Sequence, residues 1–220
     1  MFTTMKTEID SYLARDPAAK SRWDVIFSYP GFHAVLAYRF NNWLWRKDFR
    51  FLARWISQIA RFFTGVEIHP GATIGQSLFI DHGMGVVIGE TAKIGNNVTI
   101  YHGVTLGGVS ATPGIRHPQI GDNVIIGSGA ALLGSINVGN GARIGSNAVV
   151  VKDVPANATM VGVPARNVSA ECKTQDGEFA AYGISADDLP DMVMRRFDEM
   201  AKRIAELEKD LKKTADKWGG

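Results

Sequence analysis

One cysteine, Cys172, is the chain's entire thiol complement, so no intrachain disulfide can form and a reducing, cytoplasmic setting is the default expectation. An excess of charge of one sign is missing too. Lys+Arg 24 against Asp+Glu 22 leaves +2, too little to make nucleic acid or an anionic membrane the main partner. Long apolar runs are absent: the most aromatic stretch, Phe49 to Phe63, is interrupted by Arg50, Arg54 and Arg61, well short of the ~18 uninterrupted apolar residues of a membrane span. Lys6, Glu8 and Asp10 stand where a signal peptide would need its apolar core, so no secretion signal is read. The 220 residues allow one or two domains with a sizeable core.

A second set of absences is local. Residues 65–164 hold none of the five tryptophans, one of the eleven phenylalanines (Phe79) and four of the 24 Lys+Arg, yet 19 of the 24 glycines. That segment follows a different building rule from its flanks, and the rule is a period of six. Aliphatic residues recur at Ile68, Ile74 and Ile80, at Ile88, Ile94, Ile100 and Leu106, and at Ile120, Ile126, Leu132, Val138, Ile144 and Val150, eight of the thirteen followed directly by glycine. Two extra residues between 80 and 88 and eight between 106 and 120 interrupt the register without destroying it.

Six residues match neither a helix of period 3.6 nor a plain strand of period 2, but they match one short strand plus one corner. Three such units close a triangular coil of about 18 residues, with aliphatics pointing inward and stacking coil on coil. The expected fold class is α+β: an N-terminal helical domain (1–64), a parallel β-helix of hexapeptide repeats (65–166) and a C-terminal tail with a helix (167–220).

In the first of these, Asp16-Pro17 is expected to start a helix, the acid as cap and the proline in the first turn. Two further helices are expected from three- and four-residue spacing, through Phe32, Val35, Leu36, Phe40, Trp43 and Leu44, and through Phe51, Leu52, Trp55, Ile56, Ile59, Phe62 and Phe63. So many aromatics should be buried within a bundle or against another subunit. In the tail, Val193, Phe197, Met200, Ile204, Leu207, Leu211 and Trp218 alternate four and three apart, with Thr214 filling the place between the last two, a seam for a short coiled coil about a trimer axis or for packing on the same subunit.

Four of the five histidines, His69, His82, His102 and His117, lie in the charge-poor repeat. A three-histidine zinc site is disfavoured because no close His pair five residues apart is present; no metal is expected. General base catalysis is favoured: Asp81-His82 borders the first insertion and Arg116-His117 ends the second, and insertions in a solenoid become loops on a functional face. Glu67 precedes His82 by 15 positions, most of one coil, so its carboxylate could fix the imidazole tautomer and raise its basicity.

Several motifs together resemble the serine O-acetyltransferases. They are Gly65-Val66-Glu67-Ile68-His69-Pro70-Gly71-Ala72, Ile80-Asp81-His82-Gly83, Val87-Ile88-Gly89-Glu90-Thr91-Ala92, Gly103-Val104-Thr105-Leu106-Gly107-Gly108, Arg116-His117-Pro118 and Gly162-Val163-Pro164-Ala165-Arg166, preceded by Arg15-Asp16-Pro17-Ala18 and Gly31-Phe32-His33-Ala34. The resemblance implies a left-handed β-helix and acetyl transfer from acetyl-CoA, as co-substrate with no permanently bound cofactor, to the hydroxyl of L-serine, the first step toward cysteine. It implies His82 as general base and Glu67 as its partner, where the family often has aspartate. It implies Asp16 and Asp81 on the serine ammonium and Arg116 and His117 on its carboxylate. Gly107 and Gly108 would meet the oxyanion, and Gly108, Ser128, Ala130 and Arg143 would lie beside CoA, the last group less closely matched because alanine and lysine are commoner at 128 and 143.

L-Cysteine is the implied feedback inhibitor, and the implied assembly is a homotrimer that pairs into a hexamer if the aromatic helices meet. Relatives that dock into O-acetylserine sulfhydrylase end in isoleucine; this chain ends Lys217-Trp218-Gly219-Gly220, so weak or absent binding through the tail is expected. A hexapeptide acyltransferase with another acceptor and a catalytically silent trimeric scaffold are the competing readings.

Overall fold

A computed structural model of the chain describes residues 2–168, 200–204 and 206–208. Most of the C-terminal seam therefore lies outside the described residues; within them, 200–204 and 206–208 are helical, with Met200, Ile204 and Leu207 exposed.

Every strand between residues 67 and 161 pairs in parallel with the strand three units along, which is the signature of a three-sided coil. The first face stacks Glu67–Ile68, Val87–Ile88, Thr105–Gly107, Ala131–Leu133 and Val149–Val150. The second stacks Thr73–Ile74, Lys93–Ile94, Gln119–Ile120 and Asn137–Val138. The third stacks Phe79–Ile80, Thr99–Ile100, Ile125–Ile126, Arg143–Ile144 and Thr159–Val161, and Arg166–Asn167 folds back antiparallel on its end. All thirteen periodic aliphatics are buried and belong to one continuous core. The register runs Ile68, Ile88, Leu106, Leu132, Val150 up the first face, so both insertions leave the prism as loops without shifting a side chain off its face. Asn97, Asn123, Asn147 and Asn157 take the left-handed corners, a conformation asparagine tolerates better than most residues.

Four helices precede the prism: α1 (Phe2–Arg15), α2 (Arg22–Ser28), α3 (Pro30–Arg46) and α4 (Arg50–Thr64). The expected helix start at Asp16-Pro17 is instead the end of α1. A residue before proline resists the helical conformation, and the Asp16 carboxylate accepts from the Ala18 N–H at 2.8 Å in a local turn. Ser21 is the actual cap of α2, its Oγ accepting from Asp24 N.

The helices do not form a bundle that buries the aromatics. α4 turns its small residues Ala53, Ser57 and Thr64 inward and leaves Phe51, Trp55, Phe62 and Phe63 exposed; Trp23, Phe27 and Trp43 are exposed as well. No helix among the described residues is long and apolar enough to cross a membrane.

What the helices do grip is the third face. Tyr12 is fully buried with Phe32 and Phe79 against its ring, and its Oη accepts from Ile80 N at 3.2 Å. Arg15 donates to the Val98 carbonyl and Thr99 Oγ1. Arg39 donates to the carbonyls of Ile74 and Gly75 and holds buried Glu8 at 2.8 Å; burial pushes the Glu8 carboxyl up, and Arg39 opposes that shift.

At Gly31 helix backbone meets prism backbone, because a Cβ there would sit 2.1 Å from the Ile80 carbonyl oxygen. Gly31→Ala must push α3 off backbone rather than off a yielding side chain, and we expect it to lower unfolding stability by about 1–3 kcal/mol. An unchanged denaturant midpoint would contradict this packing.

Candidate active site

Loops at the two edges of the first face carry the chemistry. At the edge shared with the third face, the chain leaves Phe79–Ile80 through Asp81 and His82. His82 has φ +58 and Gly83 φ +74, a left-handed pair that turns the imidazole outward with its side chain 68% exposed. Its Nε2 lies 3.7 Å from Asp81 Oδ2, and its ring meets His102, one coil on, edge to face at 5.8 Å.

The turn after α1 delivers Asp16 to this edge, where Tyr29 Oη donates to Asp16 Oδ2 at 2.5 Å. Burial pushes the Asp81 carboxyl above its ordinary value; His82 opposes this, and the charge of Asp16 adds to it. Two carboxylates thus share a partly dry corner, an arrangement suited to a cation.

At the edge shared with the second face stand Arg116 and His117. Arg116 Nη2 lies 3.3 Å from Glu90 Oε2. Thr91 N donates to His117 Nδ1 at 3.2 Å, so the neutral ring carries its proton on Nε2. Thr91 Oγ1 in turn accepts from the backbone N–H groups of Arg116 and His117, which fixes the end of the second insertion. Burial, then Arg116, push the His117 pKa down, keeping a neutral donor beside a guanidinium. The ring lies so close over Gly89 that a Cβ there would fall 2.0 Å from it, and Gly108 flanks it too.

Of the sequence-predicted residues, Asp16, Asp81 and His82 gather at the first edge, and Arg116, His117 and Gly108 at the second. Gly107 ends a first-face strand beside the latter. Glu67 pairs with Arg61 at 2.7 Å; among the described residues the acid paired with His82 is Asp81. Ser128 occupies the same corner ladder as His82 and His102, donating to Ser146 Oγ at 3.2 Å, and Arg143 lies on the third face with Nη1 buried and without a hydrogen-bond partner among the described residues. Ala130 departs from expectation. It is fully buried in the prism core, its carbonyl accepts from Thr105 N and its N–H donates to Gly127 O, so within this chain it offers nothing to a ligand.

Sequence reasoning gave no role to Tyr29, Glu90, Thr91 or His102. Tyr29 stands before Pro30 with no periodicity to mark it; Glu90 and Thr91 belong to a quoted motif but act through a loop 25 residues away in sequence. Among the described residues no three His, Cys, Asp or Glu side chains converge on a metal-sized site.

His69, one coil before Gly89 at the second edge, is the most perturbed imidazole. Burial first, then Arg54, push its pKa from 6.5 to about 4, while Nδ1 accepts from Gly71 N and Trp45 packs edge-on. The fold keeps it neutral, whereas the unfolded chain binds a proton below its ordinary value. Stability should therefore fall as pH drops from about 6.5 to about 4. His69→Gln, which keeps an acceptor without a titrating ring, should flatten that slope in thermal melts at fixed protein concentration; an identical slope would exclude His69 as its source.

The chain is similar to known proteins over most of its length. Residues 117–152 match the family model for bacterial transferase hexapeptide (six repeats). A serine acetyltransferase of Bacillus subtilis is 51% identical over 210 residues, covering 96% of this chain and 94% of the relative. The crystal structure of Neisseria gonorrhoeae serine acetyltransferase in complex with serine superposes with TM-score 0.74 at 43% identity, over 76% of this chain and 68% of that one. A serine acetyltransferase in complex with cysteine superposes with TM-score 0.75 at 40% identity, over 80% and 66%. With a hexapeptide prism and half of its residues shared with such a relative over 96% of its length, the chain belongs to the serine acetyltransferase family.

Proposed function

We propose that this chain transfers the acetyl group of acetyl-CoA to the hydroxyl of L-serine, with His82 as general base, in a site that two copies complete across the first face. The carrying observation is the division of complementary half-sites: the acids and the base stand at one edge of that face, and the groups for a carboxylate at the other. The face between them is itself suited to a second copy. Beyond Glu67 on its first strand, its outward residues Val87, Thr105, Ala131, Leu133 and Val149 are uncharged and half-buried, whereas the second face presents Thr73, Lys93 and Asn137 to solvent. A closed ring joining edge to edge is a homotrimer, coiled left-handed like other hexapeptide prisms; the exposed aromatic helices would serve to pair two trimers.

In this reading Asp16 and Asp81 hold the serine ammonium, and the Arg116 fork with the His117 Nε2–H holds the carboxylate. The hydroxyl then faces His82. The imidazole takes the hydroxyl proton as the oxygen attacks the thioester carbon, and backbone N–H groups at Gly107 and Gly108 steady the oxyanion. When the C–S bond breaks, the CoA thiolate recovers the proton from His82. Asp81 and, on release from Arg61, Glu67 stabilise the imidazolium. CoA lies along the prism edge, against Ser128 and Arg143 of one copy and Gly108 of the next, and no permanently bound cofactor is needed. L-Cysteine, with the same ammonium and carboxylate, competes as a feedback inhibitor, as the cysteine complex of a relative supports.

His82→Asn should lower kcat by about 10²–10⁴ with little change in substrate binding. Glu67→Gln should be milder, because it removes only a supporting charge. His82→Asn and Arg116→Ala chains, each inactive alone, should regain about a quarter of wild-type activity when refolded together, since a random mixture restores one edge pair in four. No recovery would place both residues in the same copy. The reaction is read by release of free thiol from acetyl-CoA with L-serine, and transfer to sugars but not to serine would overturn the assignment.

The raised Asp81 pKa has a kinetic sign. A carboxylate that protonates at higher pH loses the ammonium sooner as pH falls, so kcat/KM for serine should decline on the acid side above the usual carboxylate range. Asp16→Asn removes one cause of that shift and should move the acid limb downward while raising KM; a limb that stays put would remove Asp81 from the serine site.

A further inference from the structure

We infer that Tyr29 is the positioning residue of the ammonium corner, holding Asp16 in place so that it sets affinity for serine and cysteine alike while taking no part in acetyl transfer. This rests on the reading of Asp16 and Asp81 as the ammonium site. The observations that carry it concern how little freedom Tyr29 and Asp16 have.

Tyr29 closes α2 and opens α3, with φ −104 and ψ 100, the extended conformation that Pro30 demands of its predecessor. Its ring is set edge-on against buried Tyr12 at 5.7 Å and 85°, and Tyr12 is anchored to the backbone of Ile80, the neighbour of Asp81. One aromatic pair thus references the hinge between two helices to the strand that carries the second acid.

From that position the Tyr29 hydroxyl donates to Asp16 Oδ2 at 2.5 Å, while Asp16 Oδ1 accepts from Ala18 N at 2.8 Å. Both oxygens of an exposed-turn carboxylate are therefore fixed before substrate arrives, which removes an ordering cost from binding. Burial, then the bond to Asp16, then the charges of Asp16 and Asp81 push the Tyr29 pKa up, so the hydroxyl remains a donor. Without it, Asp16 would be free to turn away from Asp81, whose charge repels it. The effect belongs to the ammonium end alone, because Tyr29 touches neither the base nor the second edge.

The test is Tyr29→Phe in the full chain, which removes one oxygen and keeps the ring on Tyr12. A hydrogen bond to a charged group is worth about tenfold or more. KM for serine and the calorimetric Kd for cysteine should therefore rise together by about tenfold, with kcat within threefold and KM for acetyl-CoA within twofold of wild type. In an Asp16→Ala background the same change should alter cysteine binding by less than twofold, since there is no carboxylate left to hold.

Additive losses in the two backgrounds, or a fall in kcat at constant KM, would overturn the inference, as would unchanged cysteine affinity in Tyr29→Phe. Tyr29→Trp, which fills the same space without a hydroxyl, should reproduce the affinity loss if Tyr29→Phe proves unstable, and wild-type affinity in it would also overturn the inference. Failure of the wild-type chain to acetylate serine or bind cysteine would instead remove the underlying assignment.

Discussion

Ladder hydrogen bonding between strands of only two or three residues governs everything else in this molecule. Such strands cannot hold a sheet by themselves; they persist because each backbone group finds its partner one coil along, and because the inward aliphatic of each unit lands on that of the next. Once Ile68, Ile88 and Leu106 are stacked, the positions of Glu67, Val87 and Thr105 follow, and so do the corners at each end of their strands. The chemistry is placed by this frame rather than by local loop structure. Asp81-His82 and Arg116-His117 face opposite edges because they leave opposite ends of one face.

Much of this was legible in the sequence because it is periodic. Six-residue spacing picks out the thirteen aliphatics that stack face on face, though not the second set beside them such as Val86, Val104 and Val124, and the breaks in the spacing mark both loops that hold the candidate site residues. The helices at Pro30 and Arg50 followed from apolar spacing. Less legible were features set by contact across the sequence. The end of α1 at Arg15 was misread as a start, because Asp before Pro fits either a cap or a stop, and only the packing of Tyr12 on the third face decides between them. The family resemblance puts Ala130 beside CoA, yet its register position is internal. Glu67 was matched to His82 by coil arithmetic, which places two residues on adjacent coils but does not choose the rotamer that pairs Glu67 with Arg61 in the isolated chain.

The N-terminal helices gain meaning from the same frame. They pack Tyr12 and Phe32 on Phe79 of the third face and leave their larger aromatic surface outward, so their stability depends on the prism while their outer side is available to another surface. Their contribution to the site is positional: Asp16 reaches the corner because α1 is pinned by Arg15, Tyr12 and the Glu8–Arg39 pair. On the proposed reading of Asp16, a change well inside this packing reaches serine affinity without touching the prism.

The corner loops also give the fold something like a reading frame. Eight extra residues between Leu106 and Ile120 and two between Ile80 and Ile88 are absorbed as loops, so these corners accept insertions that are not multiples of six. A face does not. Losing six residues from the ladder would turn every later side chain through one third of a revolution and exchange the polar second face for the largely apolar first, while losing about eighteen would shorten the prism by one coil and keep each face in place. Length variation among chains built this way is thus confined to whole coils and to corners, and a catalytic loop can evolve at a corner with little consequence for the core beneath it.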